Sequence, residues 1–229
     1  TPGELVAADF NADGRIDVAV ATHGGSGGGY VKVLLGNGTG GFSVVYNLLA
    51  GASITDLAAG EFNGDGRIDL AATDSAGHTL VVAAGNGDGT FGPVTATPAG
   101  DDPVSVAAVD IDGDGRQELA VAEFASSTVT FFSGRDDGSF TQVGSLTAPA
   151  GPILPADFDG DGALDLAVGS ECRGFGEPGL SDRATVSVFL RRGAGVFSAP
   201  ISYTVRLCPE ALVSGDVDGN GTADLAVAT

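Results

Sequence analysis

Five nine-residue segments concentrate oxygen donors: DFNADGRID (9–17), EFNGDGRID (61–69), DIDGDGRQE (110–118), DFDGDGALD (157–165) and DVDGNGTAD (216–224). They share the pattern acid-x-Asp/Asn-x-Asp/Asn-Gly-x-x-acid and hold 17 of the 30 Asp and Glu residues. Carboxylates crowded this closely raise one another's pKa values and destabilise a loop that holds no cation. Calcium offsets this, taking about six to eight oxygens from carboxylates, amide groups and carbonyls. Positions 1, 3 and 5 supply side-chain oxygens, the Gly at position 6 permits a sharp turn, position 7 offers its carbonyl, and the acid at position 9 closes the cage. The spacing therefore nominates Asp9, Asn11, Asp13, Arg15 and Asp17 in the first loop, and Glu61, Asn63, Asp65, Arg67 and Asp69 in the second. The third holds Asp110, Asp112, Asp114, Arg116 and Glu118; the fourth Asp157, Asp159, Asp161, Ala163 and Asp165; the fifth Asp216, Asp218, Asn220, Thr222 and Asp224.

An EF-hand or dockerin loop opens in the same way but needs a ligand at position 12, on a helix. Val20, Ala72, Val121, Val168 and Val227 stand there, all apolar. Magnesium fits less well, because it keeps its waters. The expected cofactor is Ca2+ at about five sites, which would bring the formal net charge from -20 to -10.

The motifs start 52, 49, 47 and 59 residues apart, a period that must be set by structure. Each is flanked by short apolar runs, such as ELVAA before and VAVAT after the first. Runs of small and β-branched residues bounded by Gly and Asp read as strands buried on both faces. A third run alternates more clearly (YVKVLLG, TLVVAAG, TVTFFSG, TVSVFLR) and a fourth begins at Phe42, Phe91, Phe140 or Phe197. Four strands per repeat, A to D, with no helical period, define an all-β fold of β-propeller blades. The expected blades span about 4–50, 51–100, 101–149 and 150–207, with a half-blade at 208–229. The Phe residues at strand D, with Phe10, Phe62 and Phe158 in the motifs, read as core.

Composition excludes several classes. Gly is 38 of 229 residues, well above the usual share of roughly 7%, but without the strict third-residue period of collagen. Heptads are missing, and no apolar run reaches the ~18 residues of a membrane-crossing helix. A net charge of -20 excludes nucleic acid and an anionic membrane face as partners.

The loops, the AGEFNGDGRIDLAAT stretch and the GNGDGTFGPV stretch resemble FG-GAP and VCBS-type repeats, the calcium-binding blades of integrin alpha-subunit propellers, fungal propeller lectins and bacterial secreted proteins. The resemblance covers nearly the whole chain. It implies a propeller, usually of seven blades, carrying calcium in the A–B loops at the residues nominated above. Only four blades are complete in this sequence, so the chain is expected to be part of a larger propeller, or to complete its half-blade through another chain.

Alternating strand direction puts the A–B and C–D loops on one face and the B–C and D–A loops on the other, the freer face for recognition. His23, Tyr30, His78, Phe124 and Phe175 are the ligand-face candidates, although the two histidines read first as solvent-exposed loop residues. The longest insertion, 170–184, carries Cys172; Cys208 lies in the next D–A loop, on the same face, and an oxidising compartment would pair them. No catalytic context surrounds either histidine, so no enzyme is expected. The expected role is an extracellular adhesion or recognition module for a glycan or protein. The alternatives are a structural or assembly spacer of a larger secreted protein, or the non-catalytic partner of a carbohydrate-active enzyme.

Overall fold

The computed structural model describes residues 2–22, 28–171 and 184–229; His23, Cys172 and Phe175 lie outside them. Every regular element among the described residues is a strand. The first sheet is β1 (Pro2–Ala8), β2 (Asp17–Thr22), β3 (Gly29–Gly36) and β4 (Phe42–Gly51). The second is β5 (Ile54–Gly60), β6 (Asp69–Asp74), β7 (Thr79–Gly85) and β8 (Phe91–Pro98). The third is β9 (Pro103–Val109), β10 (Glu118–Glu123), β11 (Thr128–Gly134) and β12 (Phe140–Thr147). The chain continues through β13 (Ile153–Ala156), β14 (Asp165–Gly169), β15 (Ala184–Phe189), β16 (Arg191–Gly193), β17 (Val196–Phe197) and β18 (Ile201–Val205). It ends with β19 (Ala211–Gly215) and β20 (Asp224–Ala228).

Sheets one to three are antiparallel meanders in chain order, the fourth runs β13-β14-β15-β18, and β19-β20 form a two-stranded fifth. The register repeats: Ala19 faces Val33, Ala71 faces Val82, Ala120 faces Phe131, and Ala167 faces Val188. This is a β-propeller built of four-stranded blades. The first strands contact one another in the series β1, β5, β9, β13, β19 and are therefore innermost.

The core lies between the sheets as four apolar layers. Ala19, Val31 and Val33 of the first sheet meet Leu57, Leu70 and Ala72 of the second. Phe62, Leu80 and Val82 meet Leu119, Val121 and Phe132. Val129 and Phe131 meet Leu166, Val168 and Phe189. Val186 and Val188 meet Leu212, Leu225 and Val227. Because interior blades are covered on both faces, β6, β10 and β14 are buried at every position, whereas β2 alternates.

Two details differ from the sequence reading. The fourth strand of the fourth sheet is Ile201–Val205, not a run starting at Phe197; Phe197 instead sits in the small β16–β17 hairpin, stacked on Phe131 at 5.6 Å. Phe42 is not core: it is 52% exposed where its counterpart Phe91 is 4%. The side of the first sheet that carries Phe42 and Leu5 has no sheet packed on it among the described residues, so the position loses its cover.

Candidate metal centre

All five acidic segments form the turn between the first and second strands of a sheet, and each last acid opens the second strand. Two hydrogen-bonding tasks shape the turns. The position-1 acid caps the loop: Asp9 accepts from the amides of Asp13 and Gly14, Asp110 from Gly113 and Gly115, Asp157 from Gly160 and Gly162, and Asp216 from Gly219, Asn220 and Gly221. Glu61, one methylene longer, does the same from further back, accepting from Asn63, Gly64 and Asp65. Positions 3 and 5 then form successive Asx turns: the Asp13 amide donates to Asn11 and the Arg15 amide to Asp13, and the later loops repeat this. Position 7 thus spends its amide on the turn and keeps its carbonyl as a donor atom.

The position-9 acid has a separate task. Asp17 accepts from the Phe10 amide at 3.0 Å with one oxygen and from the Gly36 amide at 2.8 Å with the other. Asp69 does so with Phe62 and Gly85, and Asp165 with Phe158 and Arg191. It therefore ties the loop to the end of the third strand. Burial pushes the carboxyls of Asp69, Glu118 and Asp165 above the usual range, and the neighbouring acids push them further: Asp65 and Glu61, Asp112 with Asp114 and Asp110, and Asp159 with Asp161.

The donor chemistry fits a hard cation. In loops three to five, carboxylate oxygens of positions 1, 3 and 9 converge within 4.8 Å: Asp110, Asp112, Glu118; Asp157, Asp159, Asp165; Asp216, Asp218, Asp224. Asn11 and Asn63 offer an amide oxygen at the matching position of the first two loops. Guanidinium groups offset part of the charge from outside: Arg15 lies 3.4 Å from Asp13, Arg67 3.8 Å from Asp65, and Arg192 2.8 Å from Asp159.

The motifs and sheets together mark the family, and a family description of the FG-GAP-like repeat matches residues 9–72, 61–121 and 110–168. The chain belongs to the FG-GAP-like repeat family. Each matched FG-GAP window starts at a position-1 acid and ends in the second strand of the next sheet, so the unit seen in sequence is offset from the sheet seen in structure. No curated protein matches the chain. Among solved structures, one described as BBS1N in complex with ARL6DN, soaked with mercury, is similar at TM-score 0.59 and 17% identity. The likeness covers 96% of this chain and 60% of that one, and it bears on the fold alone.

The ligand-face candidates are dispersed. His78 stands in the β6–β7 turn at φ 53°, and its Nδ1 accepts the Asp102 amide at 3.1 Å, which gives it a linking role between the second and third sheets. Phe124 is partly buried against the layer between the third and fourth sheets. Tyr30 lies in β3 of the first sheet and is 37% exposed. No described cysteine is free, but Cys172, and with it the expected pairing to Cys208, lies outside the described residues.

One feature gave no sequence signal. The innermost strands surround a recess of about 520 Å³, lined by Glu4, Asp56, Ser105, Glu171 and Glu210 among others. Its four acids come from four separate stretches of chain, so no local motif announces them.

Proposed function

We propose that this FG-GAP propeller is an extracellular calcium-stabilised module for adhesion or recognition. The convergence of carboxylate oxygens at positions 1, 3 and 9 carries this reading, because a hard divalent cation offsets the repulsion between acids held this close. The nominated side chains of each loop, with the position-7 carbonyl, would hold the ion, which would neutralise the loop and fix the turn. The acids serve as ligands or amide acceptors, so the role we assign is binding, not catalysis. Recognition falls to the face opposite the metal loops, where the 170–184 insertion would be pinned by a Cys172–Cys208 bond.

Calorimetric titration with calcium should give about five sites, and a chelator should lower the thermal midpoint; an unchanged midpoint sinks the calcium reading. Asp161→Ala should weaken binding, whereas Asp101→Ala, at an exposed side chain outside the cages, should not. Binding to cell-surface protein or glycan arrays that disappears on chelation supports recognition. Silence on both arrays, with intact folding and self-association, favours the spacer role instead.

A further inference from the structure

We propose that Arg192 is a built-in competitor for the cation of the fourth acidic turn, so that calcium must displace its guanidinium from Asp159 to fill that turn. This rests on the calcium reading above and concerns how one turn differs from the rest.

The difference starts in the sequence. Position 7 is Arg15, Arg67 and Arg116 in the first three turns but Ala163 in the fourth, whose positions 1, 3, 5 and 9 are all Asp. In the first two turns that arginine lies beside the position-5 acid, Asp13 or Asp65. In the third it turns outward to Asp136 at 3.2 Å. The fourth turn takes its guanidinium from 33 residues away: Arg192 places Nη1 2.8 Å from Oδ2 of Asp159, at position 3. The other oxygen of Asp159, Oδ1, accepts the Asp161 amide at 3.3 Å and closes the Asx turn. Asp112 of the third turn spends its Oδ1 in the same way. The oxygen left over from the turn is therefore the one that Arg192 holds, on a residue of the convergent set Asp157, Asp159 and Asp165.

The β16–β17 hairpin puts the guanidinium there. Its entry follows the pattern of the other sheets: the Arg191 amide donates to Asp165 at 2.7 Å, as the Gly36 and Gly85 amides do to Asp17 and Asp69. The chain then departs from that pattern. The Gly195 amide donates to the Ile111 carbonyl at 2.9 Å, and Arg191 Nη1 reaches the Asp110 carbonyl at 3.5 Å, so the hairpin is fastened to the third turn. Phe197, stacked on Phe131, anchors its far strand. Arg192 thus stands on a fixed backbone beside a cleft of about 360 Å³ lined by Asp112, Asp161, Ala163 and Gly193 as well as the two arginines. Its side chain is half-exposed, so the guanidinium can leave Asp159 for the cleft without being buried. Two cations on one carboxylate oxygen repel each other, so ion and guanidinium exclude one another there. A pair this exposed opposes binding only a few-fold, enough to set one turn apart without closing it.

Calcium titration of the full chain, followed by amide NMR, reads the turns separately. Gly160 and Gly162, whose amides donate to Asp157, report the fourth turn; Gly113 and Gly115, on Asp110, report the third. Arg192→Gln should lower the calcium midpoint of the fourth turn about five-fold and move that of the third by less than about two-fold. Arg192→Lys, which keeps a cation, should stay closer to the unaltered chain. Arg206→Gln, which removes the same charge from an exposed position between β18 and β19, should move neither midpoint. In the unaltered chain the guanidinium signals of Arg192 should shift with the same midpoint as the Gly162 amide. An unchanged fourth-turn midpoint in Arg192→Gln overturns the proposal, as does equal tightening in Arg206→Gln or a guanidinium signal that stays still while Gly162 moves. If calcium moves the amides of no turn, the calcium reading falls and the proposal with it; if the turns respond and Arg192→Gln changes nothing, the proposal alone falls.

Discussion

At the scale of single residues, the last acid of each motif does most to hold the loop. Asp17 is fully buried, and both of its oxygens are taken by backbone amides. Asp17→Ala leaves the Phe10 and Gly36 amides buried without an acceptor, a loss of about 3 kcal/mol at roughly 1.5 per charge-assisted bond. Asp17→Asn retains one acceptor and should lose about half as much. Urea denaturation of both variants in excess calcium checks the ordering. Gly85 is the other sensitive position. A Cβ there would stand 2.1 Å from the Ile68 carbonyl oxygen, which is backbone and cannot turn aside. Gly85→Ala should destabilise by about 1–3 kcal/mol, the range for overpacking. An unchanged urea midpoint would contradict that packing.

Between elements, one carboxylate ties two sheets together. Asp56 on β5 accepts from the Ser105 hydroxyl at 2.7 Å and the Val106 amide at 2.9 Å, both on β9, and from the Leu57 amide at 2.8 Å. Desolvation between the sheets outweighs these bonds and pushes its pKa from 3.8 up to about 6, with Glu4 adding to the rise. The folded state therefore binds this proton more tightly than the unfolded state. Its contribution is most favourable below pH 3.8 and is lost as pH rises through about 6, by roughly 3 kcal/mol. Asp56→Asn should flatten this part of the stability profile between those limits, read as thermal midpoint against pH in saturating calcium; an unaltered slope assigns the titration to another group. No sequence pattern singles out Asp56, because its partners lie 49 and 50 residues away. The metal turns are legible for the opposite reason: their ligands and hydrogen-bond partners fall mostly within nine residues. The order of strands within a sheet follows from the same local repetition. The β16–β17 hairpin is not legible, because Arg191 and Phe197 read as continuations of strands until the packing of Phe197 on Phe131 is seen.

For the whole molecule, 17 of the 30 acids sit in the metal turns of a propeller whose sheets cohere through apolar layers. Chelation should therefore loosen the loops before it separates the sheets. Thermal unfolding in a chelator should begin at a lower temperature, and exchange at residues 9–17 and 157–165 should rise before exchange at the buried strands β6 and β10. Uniform acceleration along the chain would mean that metal and core are one cooperative unit.

The two uncovered sides of the propeller have a further consequence. The first sheet exposes Leu5 and Phe42, whose counterparts Leu57 and Phe91 receive the preceding sheet. The fifth exposes Val213 and Val217, counterparts of Val6 and Phe10, which face the following one. These are the two unlike halves of one recurring contact. Self-association through them is heterologous, with no two-fold axis to terminate it. Growth would be polar, each added copy renewing the same two ends, and light scattering should climb with concentration without settling at a dimer plateau. Val213→Asp should stop growth at one end only, so a mixture with the unaltered chain would give short capped oligomers.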